Sequence, residues 1–100
     1  MFICFVEYQI DPASEQLYRD WIAKQQADHR GFSLYEGTDQ PLLFVEVWEA
    51  ATEEEALRIK EERCGERSSW QVMAKWVPGG SAKVHAWTFK PINGRAEGPM

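Results

Sequence analysis

The sequence predicts an α+β domain built on an antiparallel sheet, and three observations carry that reading. Residues 2–10 (FICFVEYQI) and 42–50 (LLFVEVWEA) are rich in β-branched and aromatic side chains and largely apolar in both alternating sets, as in strands covered on both faces. Each is followed at once by a helix-start signal, Asp11-Pro12 after the first and Thr52-Glu53-Glu54-Glu55 after the second. A second strand precedes the 42–50 run across a turn-forming segment, so strands and helices alternate without a repeat or a linker.

Each element has its own warrant. Asp11 is a good N-cap and Pro12 fits the first helical position, so a helix is expected over 12–29, with Leu17, Tyr18, Trp21, Ile22 and Gln25 at helical spacing. His29 and Arg30 place positive charge in its last turn and Gly31 follows as the stop. Residues 32–36 (FSLYE) read as a short strand, and Gly37-Thr38-Asp39-Gln40-Pro41 as the turn into the third strand. Thr52 and Glu55 form a capping box for a helix that runs to about Cys64 and stops at Gly65. Its many charges, with the Glu54–Arg58 pair among them, read as a solvated face.

Ser68 or Ser69 caps a third, short helix with Trp70, Met73, Ala74 and Val77 on one stripe and Val72 and Trp76 on another. Pro78-Gly79-Gly80 ends it, and residues 82–89 (AKVHAWTF) form the last strand. The expected order is β-α-β-β-α-(short α)-β over residues 1–90 as one domain, with 91–100 a flexible tail by composition. This split βαβ pattern is the ferredoxin-like arrangement, with the two long strands side by side in the middle of the sheet. Both helices then cover one face. The other face is apolar with no element of the chain left for it, so a homodimer is expected.

Composition bounds the function. Apolar residues at 44% and aromatics at 13% support a real core. The net charge of −5, without an arginine cluster, argues against a nucleic-acid partner and against an anionic membrane surface. No apolar run approaches the roughly 20 residues of a membrane-spanning helix. Cys4 and Cys64 have no metal-ligand spacing and are expected to stay unpaired, which fits a reducing cytoplasm. Two histidines and two scattered cysteines predict no metal site, and neither phosphate-loop, dinucleotide nor GxSxG motifs occur, so no cofactor is expected.

The element order, Gly31-Phe32 opening the second strand, Val47-Trp48-Glu49 closing the third, and the segment Trp70-Gln71-Val72-Met73-Ala74-Lys75-Trp76 resemble the dimeric α+β barrel superfamily. The similar branch is the antibiotic-biosynthesis-monooxygenase-like group, and the likeness spans residues 2–89. The resemblance implies a homodimer. It also implies one of several activities, among them cofactor-independent oxygenation of an electron-rich aromatic and haem degradation. Haem-degrading members carry a first-strand Asn and an iron-ligating His on the short helix. Here Glu7 and Ala74 stand at the similar positions, which argues against haem.

The candidate residues follow from placement. Glu7 interrupts an apolar strand, where a carboxylate needs a partner or a wet cavity and could serve as a general base. His85, in the last strand, meets Glu7 across the sheet if the register allows, making Glu7 and His85 the candidate catalytic pair. Glu46 and Glu49 point to opposite faces of the third strand, with one expected to be exposed and Glu46 at a cavity edge. Trp21, Trp48, Trp70, Trp76 and Trp87 are the aromatic wealth of the chain. A cleft between helices and sheet is expected to bind a small aromatic or apolar ligand through Trp70, Trp48, Tyr8 and His29, with Glu7 as its acid or base.

Overall fold

The computed structural model describes residues 1–29, 31–65 and 68–92. The placement of Arg30 in a last helical turn and the expectation for residues 93–100 therefore lie outside the described residues. The chain folds as an α+β unit around one four-stranded antiparallel sheet: β1 (Phe2–Gln9), β2 (Phe32–Glu36), β3 (Leu43–Ala50) and β4 (His85–Phe89), in spatial order β2-β3-β1-β4. The order is compatible with a ferredoxin-like fold.

Two α-helices, α1 (Glu15–Asp28) and α2 (Glu53–Cys64), cross the sheet. Asp11 and Pro12 begin a 3-10 turn, Pro12–Ser14, rather than α1 itself, and the Asp11 carboxylate accepts from the Ala13 N–H. At α2 the expected Thr52 cap is formed: Thr52 Oγ1 accepts from the Glu55 N–H at 3.1 Å, while the Glu55 carboxylate accepts from the Ala51 N–H at 2.7 Å, one residue before the cap. Replacing Thr52 with Ala is expected to cost about 1 kcal/mol in a denaturation experiment; an unchanged midpoint would show that the cap adds nothing. Gly65 is the C-cap of α2, where a Cβ would sit 2.7 Å from the Glu61 carbonyl oxygen, so glycine suits the position.

The third helix differs from the sequence expectation. Ser69–Trp76 is a 3-10 helix, not an α-helix, and the buried residues are Trp70, Met73 and Trp76. Three residues per turn stack positions i, i+3 and i+6 on one face, which turns all three large side chains to the core and leaves Val72 exposed. The last strand is also shorter than expected. Gly79 and Gly80 take left-handed φ values of 92° and 75°, a second 3-10 turn follows over Gly80–Lys83, and β4 starts only at His85.

The alternation along the strands decides everything that follows. Cys4, Val6 and Tyr8 of β1, Phe44, Glu46 and Trp48 of β3 and Phe32 of β2 are buried on the helix side. Their neighbours Ile3, Phe5 and Glu7, Leu43, Val45 and Val47, and His85, Trp87 and Phe89 occupy the opposite face, since register pairs Ile3 with Phe89, Phe5 with Trp87 and Glu7 with Val45 and His85. Among the described residues no helix packs on that face, and Trp87 and Phe89 remain 44% and 50% exposed. Among the described residues no helix is long and apolar enough to cross a membrane.

Candidate functional site

The polar centre of the molecule lies beneath the helices and is closed. Glu46 projects from β3 between Phe44 and Trp48 and is completely buried; Arg63, in the last turn of α2, is 2% exposed. The two meet in a bidentate pair: Arg63 Nε donates to Glu46 Oε1 and Nη2 to Oε2, both at 2.7 Å. The Trp48 indole N–H donates to Oε1 at 2.8 Å and the Tyr8 hydroxyl to Oε2 at 2.5 Å. Since the single proton of Tyr8 goes to Glu46, Tyr18 donates to Tyr8 across 2.8 Å. The guanidinium lies over the Trp70 ring with Cζ 4.1 Å from its centroid. Only Arg63 Nη1 is buried without a hydrogen-bond partner among the described residues.

The electrostatics follow from burial. Burial alone would lower the Arg63 pKa, but the hydrogen bonds and charge of Glu46 outweigh it and hold it above its ordinary value. Burial, reinforced by the Glu46 charge, keeps the Tyr8 phenol far above the usual tyrosine range. Burial raises Tyr18 as well, partly offset by its hydrogen bond to Tyr8. Burial, with the nearby Cys64, pushes the Cys4 thiol from 9.0 up to about 11; both cysteines are free.

Tyr8, Tyr18 and Cys4 are neutral in the fold at pH values where they ionise in the unfolded chain. Their contribution is complete below the unfolded values and is lost as pH rises through the folded ones. Thermal melts between about pH 8 and about pH 11 are expected to show a Tm that falls increasingly steeply above about pH 9. A flat Tm across that range would mean that these groups are not buried as described.

The expected single cleft is instead two sites on opposite faces of the sheet. Trp70 and His29 share a helix-side cleft of about 500 Å³, lined also by Arg58, Glu61, Glu62 and Ser69. The His29 ring is 5.5 Å from Trp70 and 6.1 Å from Trp48, and Trp48 stacks on Phe32 at 4.4 Å. Trp21 and Trp76 complete this aromatic layer, Trp21 standing edge-on to Trp70 at 5.3 Å. Neither Tyr8 nor Trp48 lines this helix-side cleft: both side chains are buried, holding Glu46, and Tyr8 borders instead the second cleft.

Glu7 and His85 lie elsewhere. They are opposite one another across the β1–β4 ladder and both line a second cleft, of about 520 Å³, at the end of the uncovered face. The placement of Glu7 as acid or base beside Trp70 is therefore corrected. Side chains alternate along β1, so once Val6 and Tyr8 face the helices Glu7 must face away. Glu49 is the exposed acid of β3, and Glu46, expected at a cavity edge, is the buried one.

Sequence reasoning missed Arg63, set aside within a solvated helix face. Its signal was present: Ala56, Ile59 and Arg63 fall at i, i+3 and i+7, one stripe of α2, and Ala56 and Ile59 both pack inward. Lys83, in the second cleft, carried no comparable signal. Searches of protein-family models, curated proteins and solved structures return no match to this chain.

Proposed function

We propose that this chain is a homodimeric small-ligand-binding protein of the dimeric α+β barrel type. Its two sheets pair through their uncovered faces, and each copy takes an aromatic or apolar ligand at the His29–Trp70 mouth. The observation that carries the reading is the uncovered sheet face. Phe5, Val47 and Trp87 form its middle row; on one side the Ile3–Phe89 row includes Glu49, and on the other the Val45 row carries Glu7 and His85. An apolar centre with a polar rim is the anatomy of a subunit contact.

Size supports a second copy as the cover. Central strands about 26 Å long, in a sheet about 19 Å wide, give a projected patch of roughly 400–500 Å². Side-chain relief raises its accessible area towards the ~800 Å² per partner of a standard interface. Sedimentation at micromolar concentration is expected to give a dimer of the 11.6 kDa chain; a clean monomer would overturn the pairing.

For the ligand, titration with an uncharged bicyclic aromatic such as 2-naphthol is expected to change the tryptophan fluorescence saturably, and more weakly in His29→Ala. No saturable change would overturn the binding reading. Binding is favoured over oxygenation because Glu7 and His85 lie across the sheet from Trp70, out of reach of a ligand held there.

A further inference from the structure

The cleft at the end of the uncovered face has a chemistry of its own. Glu7, Gln9 and Leu43 come from the sheet, His85 from the start of β4, and Val77, Pro78 and Lys83 from the connector that closes the sheet's lower end. Its volume of about 520 Å³ is that of a small-molecule site. The wall is divided by chemistry. Leu43, Val77 and Pro78 are apolar. Glu7 and Lys83 supply one negative and one positive charge, with the His85 imidazole opposite Glu7 in the ladder. Neither Glu7 nor Lys83 is committed to an ion pair or a side-chain hydrogen bond among the described residues, unlike Glu46, Arg63, Arg19 and Glu36.

The walls are also held in place. Leu42 takes a left-handed φ of 70°, rare for a branched side chain, and its N–H is held by Glu36 Oε2 at 2.9 Å. That fixes the chain entering β3 at Leu43. On the other side Asp11 N–H donates to the Trp76 carbonyl at 2.8 Å, tying the connector to the end of β1. At Gly79, φ is 92° and a Cβ would meet Lys83 Cγ at 2.6 Å, so the glycine lets the Lys83 stem fold over the turn.

We infer that this cleft binds a small zwitterion with a short apolar tail, an α-amino acid in chemical class. Lys83 meets its carboxylate, Glu7 and His85 its ammonium, and Leu43, Val77 and Pro78 its tail. A ligand bearing both charges matches a site bearing both, whereas an acid or an amine alone leaves one protein charge desolvated without a partner. The inference does not rest on the helix-side mouth: every lining group belongs to one chain, and Val77, Pro78 and Lys83 set the cleft at the end of the sheet, beyond the Phe5–Val47–Trp87 row proposed to pair.

The test uses the whole chain and four probes: leucine, N-acetyl-leucine, 3-methylbutylamine and 4-methylpentanoate. Binding is followed by calorimetry and by methyl NMR signals of Leu43 and Val77. Leucine is expected to bind at least about tenfold more tightly than each single-charge analogue, equivalent to one charge-assisted contact. Glu7→Gln and Lys83→Met are each expected to weaken leucine by about tenfold or more, with Lys83→Arg retaining it. Circular dichroism checks that the variants are folded. No binding of leucine, equal binding of the analogues, or shifts confined to residues around His29 and Trp70 would each overturn the inference. The last would locate binding at the helix-side mouth and leave the proposed function standing.

Discussion

Replacing Arg63 with Met is expected to lower the unfolding free energy by about 3–5 kcal/mol, because it leaves the Glu46 carboxylate buried without its counter-charge. Glu46→Met is expected to be comparably damaging, stranding the guanidinium between Trp70 and Met73. The pair itself is a different matter. Two buried charges repay their desolvation only through good geometry, so removing both should cost less than removing either. Glu46→Met combined with Arg63→Met is therefore expected to be more stable than each single variant. Denaturant midpoints of the four proteins measure this. Single variants within about 1 kcal/mol of the parent, or a double variant worse than both, would show that the network is not the tightly coupled unit described. If a single variant fails to fold, the double variant still decides the question.

Introducing a lysine at the middle of the uncovered sheet face is the second large expected effect. Val47→Lys and Phe5→Lys should shift sedimentation from dimer to monomer at micromolar concentration, a weakening of about a hundredfold or more, because an unpaired ammonium would be desolvated against the facing sheet. Leu57→Lys, at an exposed position of α2, should leave the association state unchanged. Both face variants should stay folded, since positions 5 and 47 are not in the closed core. A Val47→Lys protein that still sediments as a dimer would place the contact elsewhere.

Much of the element order is readable from local chemistry. Asp11-Pro12 and the Thr52–Glu55 box announce helices because caps satisfy backbone donors within a few residues. The two long strands are readable because both alternating sets are apolar, and strand β2 because a turn-forming segment ends it. The failures share a cause. Trp70, Val72, Met73 and Trp76 fit a 3.6-residue stripe and a 3.0-residue stripe almost equally in eight residues, and the core they pack against decides between them.

The candidate site was legible in its ingredients and not in its assembly. The sequence by itself determined that Glu7 interrupts an apolar strand, that Glu46 alternates with Phe44 and Trp48, and that tryptophans are abundant. It could not say which alternating set meets the helices, because both sets of β1 and β3 are apolar and a period of two is blind to which face is covered. Tertiary packing settled that. Once α2 lies over Val6, Tyr8 and Glu46, its inward stripe brings Arg63 onto the buried Glu46 carboxylate. The same choice sends Glu7 to the far face, opposite His85 and away from Trp70. The physical reason is that a buried charge is tolerated only where a partner from a distant segment reaches it, and such a meeting is a property of the packed molecule, not of any stretch of its sequence.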